Sequence, residues 1–423
     1  MLPLPSFSSR LAGIALVLPA LLVVALCFIA PLGLSVCGAF VSEQGIGGAN
    51  FVTALALYNP DILFTLLIVG VSTLLIGLFS VLIGGYLTLG ENLRWVALLR
   101  WVYRWPLFIP FIVTGQILRT FLAKNGWLNG ALDMVGIVDI ARASNWLDWR
   151  GIVFAFVWKQ TPFVALLVSG AMASLDRGTM ESAHNLGAGR LRILFEIVVP
   201  QVWHTLLTGL ILSFVTMMSV LSVPLMINAQ SPTLLSDNIA FRINAYGDYG
   251  VANALGAISL LMTGGICDYL SAYQHEGEIM RLILGWIVPA LMLGVMIFLI
   301  FGPLANLLMW AMAEKWFYPH LLPTEWGFAF WRRVFSARSV AWEALCNSVL
   351  VAICTVLASL ALAIPAGYAL ARLALPARGV ILLIFLIPQA FPNLTVYVNI
   401  AQSCIQYVDC SVKCPVLDVE YSG

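Results

Sequence analysis

Between long apolar stretches the chain reads Glu181-Ser182-Ala183-His184-Asn185-Leu186-Gly187 and, after nine further residues, Ile197-Val198-Val199-Pro200. This is a polar island of about two helical turns. Thr179 is placed to N-cap a short helix whose Met180, Ala183 and Leu186 share one face. Gly187 falls where a helix ends in a left-handed residue. The chain then enters a second short helix over 190–196, and Pro200 suits the first turn of the span that follows. A bent helical pair with small residues on one side is shaped to enter a partner's cleft. A plain solvated loop containing Gly and Pro is the alternative, and the full spacing argues against it.

The composition sets the medium. With 61% hydrophobic and 10% charged residues and a mean hydropathy of +0.97, the 423-residue chain reads as an integral membrane protein rather than a soluble enzyme. A net charge of +1, and lysines only at Lys124, Lys159, Lys315 and Lys413, exclude a nucleic-acid or acidic-substrate partner. Uncharged runs long enough to cross a lipid bilayer as helices recur at about nine places: 11–37, 62–90, 105–121, 151–175, 205–229, 250–267, 282–313, 344–371 and 380–401. The third is the weakest, because Arg104 and Arg119 bracket only 14 uncharged residues. With the N-terminus inside, nine spans put the Glu181 loop in the cytoplasm. Basic residues support that orientation up to Arg281 and run against it in 314–343. The first run is too long for a signal peptide, and no small-x-small site follows it.

The spacing Glu-x-Ala, three residues, Gly, nine residues, Ile-x-aliphatic-Pro closely resembles the EAA loop of type I ABC-importer permeases. Those are the inner-membrane components of binding-protein-dependent transport systems. The match departs at Ser182, usually Ala, and Val199, usually Leu, both small changes in volume. The resemblance implies an all-α polytopic fold in the bacterial inner membrane. It implies that Glu181, Ser182, Ala183, Gly187, Ile197 and Pro200 couple to a separate ABC ATPase dimer, and that a periplasmic solute-binding protein delivers a small solute. No cofactor is expected on this chain, since ATP would be hydrolysed by the partner.

An internal repeat refines the expected architecture. Gly85-Tyr86 recurs as Gly367-Tyr368, Pro106 as Pro388 and Pro110 as Pro392, all 282 residues apart (367 − 85), while Pro31-Leu32 resembles Pro303-Leu304 at 272. The chain therefore reads as two permease units in tandem, resembling the fused permeases of the iron(III), thiamine, polyamine and phosphonate group. The first unit spans 1–281, with a transmembrane core at 62–270 and the coupling loop at 175–203. The second, 282–402, holds three spans and no counterpart of the Glu181 loop. The tail 403–423 changes character and suggests a truncated or frameshifted end. A natural nine-span variant is the other reading, and a homodimer or second permease would restore two loops.

Energy coupling follows from what the spans lack. None of the nine contains Asp or Glu in its interior, and no Gly-x4-Gly-Lys-Ser/Thr loop is present. A carrier with neither device borrows its energy, which favours an ATPase partner over a secondary transporter or channel; a non-transporting fragment is the third reading. Lys159, about 12 Å into its span, is the basic residue well inside a helix. It marks either the translocation pathway, together with Gln160 and the weaker candidate Gln116, or a structural lysine, bonded to backbone carbonyls that Pro162 exposes or snorkelling outward. No metal site is expected: Cys404, Cys410 and Cys414 lack paired zinc spacing, and Glu181-x-x-His184 has no second copy.

Overall fold

The computed structural model describes residues 7–42, 45–90, 92–136, 143–227, 232–272, 302–316, 322–336, 340–373, 375 and 377–390. They are almost all helical, as expected. Two small antiparallel hairpins are the strands among them: Val41–Ser42 with Gly45–Ile46, and Ala313–Lys315 with Glu325–Trp326. Among the described residues, six single helices are long and apolar enough to cross a bilayer, within Gly13–Ala39, Ala49–Leu89, Trp149–Ala173, Arg190–Ser219, Tyr249–Ile266 and Ala341–Arg372. A bent pair makes up to seven. Of the nine expected spans, 282–301 and 391–401 lie outside the described residues, as does the 403–423 tail.

In chain order, α1 (Phe7–Val24) passes through a π turn, Ala25–Ile29, into α2 (Ala30–Ala39). The 41-residue α3 (Ala49–Leu89) is followed by α4 (Leu93–Val102), α5 (Phe111–Leu122), α6 (Trp127–Met134) and α7 (Trp149–Ala173). Next come α8 (Arg177–Asn185), α9 (Arg190–Ile193), a second π turn (Leu194–Val198), α10 (Val199–Ser219), α11 (Ser222–Ile227), α12 (Leu235–Tyr246) and α13 (Tyr249–Ala272). Residues 302–312 form α14, before α15 (Ala329–Val334), α16 (Ala341–Arg372) and α17 (Arg378–Ala390).

Polar caps start several of these helices. Asn92 accepts from the Arg94 N–H at 3.1 Å, and Asp148 accepts from the Arg150 N–H at 2.9 Å. Burial would raise the Asp148 carboxyl, but the hydrogen bonds and charge of Arg150 outweigh it and hold the group below its ordinary range.

Prolines set the breaks. Each π turn ends two residues before one: Pro31 follows Ala25–Ile29 after Ala30, and Pro200 follows Leu194–Val198 after Val199. A proline has no N–H for the carbonyl four residues back, so the helix widens by one residue there instead of ending. Pro110 does more. The expected span 105–121 is not one helix but two arms, Leu93–Phe108 and Phe111–Met134, bent by 108°. The expected span 205–229 is also corrected: its helix begins earlier and stops at Ser219, where Val220 turns extended. Pro224 cannot donate to the Val220 carbonyl, and the Ser236 hydroxyl does so at 2.9 Å.

The structure gathers into two compact units that do not follow chain order. One holds the described parts of Met1–Leu57, Asn238–Leu261 and Leu345–Gly423; the other holds those of Tyr58–Asp237 and Met262–Ala344. In the first, Val17 and Ala20 of α1 pack on Ala366 and Ala369 of α16, and the Ser35 hydroxyl donates to Asn253 at 2.8 Å. The core of the second is built by Ile68 and Ile76 of α3, Leu118 and Phe121 of α5, Phe156, Val164 and Met172 of α7, and Val202 and Leu206 of α10. A Cβ on Gly209 would lie 3.2 Å from Val164, so the glycine lets α10 approach α7 closely, as small residues do between membrane helices. The repeated Gly85-Tyr86 and Gly367-Tyr368 fall near the C-terminal ends of α3 and α16; Pro392 lies outside the described residues.

Candidate functional site

The polar island folds as α8 and α9, held at both ends. Asp176, not Thr179, is the N-cap: its carboxylate accepts from the Gly178 N–H at 3.0 Å and from the Thr179 hydroxyl at 3.2 Å. Aspartate is the stronger acceptor for the positive end of a helix, so it displaces the threonine from that role. At the other end Gly187 has φ +83°, as expected. The Gly187 N–H reaches the His184 carbonyl at 2.9 Å and the Ala188 N–H reaches Ala183 at 3.0 Å. These two bonds make the Schellman closure, which needs a left-handed residue where Gly187 stands.

The faces differ from the expected ones in one residue. Met180 and Ala183 pack inward against the core, joined by Ala188 after the turn. Leu186 does not join them; it is 89% exposed beside exposed Glu181, Ser182 and Gly187. The Schellman turn reverses the chain at this point and carries Leu186 outward. Sequence periodicity missed it because the residue sits at the helix's last, non-periodic position.

The expected separate helix over 190–196 is a correction as well. α9, the π turn and α10 form one unbroken helical path, Arg190–Ser219, with Pro200 in the first turn of α10. Ile193, Leu194 and Val198 are buried, Ile197 is half-buried against the core and Pro200 is exposed. Among the motif residues, then, Ala183 and Ile197 anchor the loop, while Glu181, Ser182, Gly187 and Pro200 face outward. Gly85 of α3 sits directly beneath: a Cβ there would meet Leu194 Cδ2 at 2.5 Å. Arg192 and Glu196 pair at 2.8 Å on the exposed side.

The pathway candidates separate. Gln116 is exposed on α5 and Gln160 is buried on α7. Lys159 is only 7% exposed, and its ammonium donates to the carbonyls of Pro106 at 2.8 Å, Leu107 at 3.1 Å and Ile109. The Phe111 ring lies 5.3 Å from it. Of the two readings of Lys159, carbonyl bonding is the observed one, but its partners lie in the Pro110 bend and not at Pro162. The chemistry accounts for the match. Pro110 offers no N–H to the Pro106 carbonyl, which the Ile109 N–H reaches only at 3.3 Å, and among the described residues no backbone N–H reaches Leu107 or Ile109. An ammonium has three N–H donors and the bend has three carbonyls to receive them. No spacing rule joins residues 50 apart, so the sequence signalled the lysine but not its partners.

Residues 80–272 match the family described as "binding-protein-dependent transport system inner membrane component". The sulfoquinovosyl glycerol transport system permease SmoG of Agrobacterium fabrum is 24% identical over 60% of this chain and 87% of its own length. A putative 2-aminoethylphosphonate transport system permease, PhnU, of Salmonella paratyphi A is 25% identical over 63% of this chain and 92% of its own. A probable sulfate transport permease of Chlorella vulgaris is 23% identical, with this chain spanning 62% of its length. In fold, the chain is similar to a chain of a bacterial alginate ABC transporter solved with an alginate pentasaccharide-bound periplasmic protein. The TM-score is 0.53 at 21% identity, covering 62% of this chain and 93% of that one.

Proposed function

We infer, since residues 80–272 match the binding-protein-dependent transport inner-membrane family, that this chain is the permease of an ATP-binding-cassette importer and works with partners on both sides of the membrane. The relatives are permeases of such systems for sugars, sulfate and phosphonates, which sets aside the secondary-transporter and channel readings. α8 is the docking element for a separate ABC ATPase dimer, entering its cleft with Leu186 and the exposed motif residues. A periplasmic solute-binding protein delivers a small polar solute, and the bacterial inner membrane is the site of action. ATP is hydrolysed by the partner and not by this chain. Gln160 and Gln116 are the candidate contacts to the solute, and Lys159 serves the pathway through the bend that it holds. A second copy or a second permease would supply another docking loop.

One observation carries the docking assignment: a short helix between two spans, capped at both ends, that presents a bare leucine and a left-handed glycine outward. A capped helix keeps its shape without a partner, and an exposed leucine beside it gives a partner something apolar to bury. Gly187→Val tests it, because a β-branched residue resists φ +83°. The variant should insert into the membrane at wild-type yield and lose co-purification with its ATPase. Co-purification at the wild-type level would overturn the assignment.

A further inference from the structure

Three residues, Ser174, Leu175 and Asp176, link α8 to α7 along the chain, and α7 is one continuous helix from Trp149 to Ala173. Lys159 stands 14 residues before Ala173, about 21 Å along the same helix, with Pro162 between them. From there it bonds the backbone of the 108° bend rather than any side chain. That distinction matters mechanically. A contact to a side chain can be kept by a change of rotamer, whereas a carbonyl moves only with its peptide unit. Hydrogen bonds at 2.8 and 3.1 Å are lost once the groups separate by about another 0.5–1 Å. A displacement of α7 larger than the lysine's four-carbon stem can take up must therefore drag the bend with it, or leave an ammonium and the Leu107 and Ile109 carbonyls without their partners.

We propose that Lys159 is the positioning residue that carries movement of the docking loop to the bend at residues 104–110, so that α8 and the bend move together. The inference rests on the reading that α8 docks an ATPase. It assigns Lys159 neither to solute contact nor to static support: its three bonds convert an axial shift of α7 into a reorientation of the two arms that meet at Pro110. Phe108, exposed at 79% within the bend, is a natural reporter of that reorientation.

The test uses the full chain, made cysteine-free except for Phe108→Cys, reconstituted with its ATPase and binding protein in lipid nanodiscs. The rate of labelling by a small thiol reagent should differ at least ~3-fold between the nucleotide-free and ATP-bound complexes. Lys159→Met should abolish that difference while the ATPase still co-purifies and hydrolyses ATP. Lys159→Arg, which keeps N–H donors and charge, should restore part of it. A merely structural lysine would lower yield or thermal stability without uncoupling the label from nucleotide. Full nucleotide dependence in Lys159→Met overturns the inference, as does a wild-type label indifferent to nucleotide in a complex that contains ATPase. Absence of ATPase from the wild-type complex would instead overturn the docking reading beneath it. If Lys159→Met fails to insert, Lys159→Gln is judged by the same criteria.

Discussion

Single atoms decide the behaviour of the proposed docking loop. Leu186 touches so little of its own chain that Leu186→Ala should leave thermal stability within about 0.5 kcal/mol of wild type. The same change should weaken ATPase association by about 1–2 kcal/mol, readable in a binding titration on nanodiscs. The two helix-start candidates are also separable. Asp176→Ala removes the acceptor of both cap bonds and should destabilise α8 by about 0.5–2 kcal/mol, seen as faster amide exchange over 177–185. Thr179→Ala removes only a donor to that acceptor and should change exchange much less. Equal effects would show that the cap is shared. Gly85→Ala drives a methyl into Leu194 and should cost about 1–3 kcal/mol of stability, partly recovered by Leu194→Ala in the same chain. At this scale the sequence showed Gly187 plainly, because a left-handed turn demands one residue type. Leu186 and Asp176 were hidden, since either of two nearby residues could satisfy the same local rule and tertiary packing made the choice.

Elements carry a second set of consequences. α12, which lies outside the candidate spans, is anchored at its start by α3: the Thr233 N–H donates to Asp61 at 2.8 Å, and the Leu235 N–H to Thr65 at 2.9 Å. Burial, with the charge of Asp61 added, pushes the carboxyl of Asp237 up in the first turn of α12. A carboxyl raised by folding favours the fold when protonated. That contribution is complete below the unfolded-state value and is lost as pH rises through the folded one. Asp237→Asn, always neutral, should therefore raise Tm at about pH 7, and the gain should shrink toward about pH 4. A pH-independent gain would remove the charge from the explanation. The bend teaches a similar lesson about reading elements. Proline and an apolar run at 105–121 announced a weak span, yet the carbonyls of the bend are taken up by a lysine about 50 residues further along the chain.

For the whole molecule, helix length against bilayer thickness sets depth. α3, at 41 residues, is about 62 Å long, about twice the hydrocarbon core. If its Leu89 end lies at one membrane face, the turns before about Leu67 project past the other, which is where Asp61 stands. Val52→Cys and Leu74→Cys, both at exposed positions, should then separate in a cysteine-free chain. The first should react with a membrane-impermeant thiol reagent and the second should stay protected by lipid. Reaction at both would mean that α3 lines water along its length. Composition made the membrane class legible, and the EAA spacing made legible the resemblance that residues 80–272 bear to the transport-permease family. The grouping into two units was not, because residues 238–261 join segments from both ends of the chain through contacts that no local pattern encodes. The π turns bear on how such a chain tolerates gaps. Each holds a surplus residue, so losing one amino acid from 194–198 would leave the helix on either side facing as it does now. The same deletion in the middle of α10 would swing everything beyond it by about 100°. Deletion scanning of this stretch should therefore find a narrow window of silent frame-preserving losses just ahead of Pro200, bordered on its C-terminal side by lethal ones.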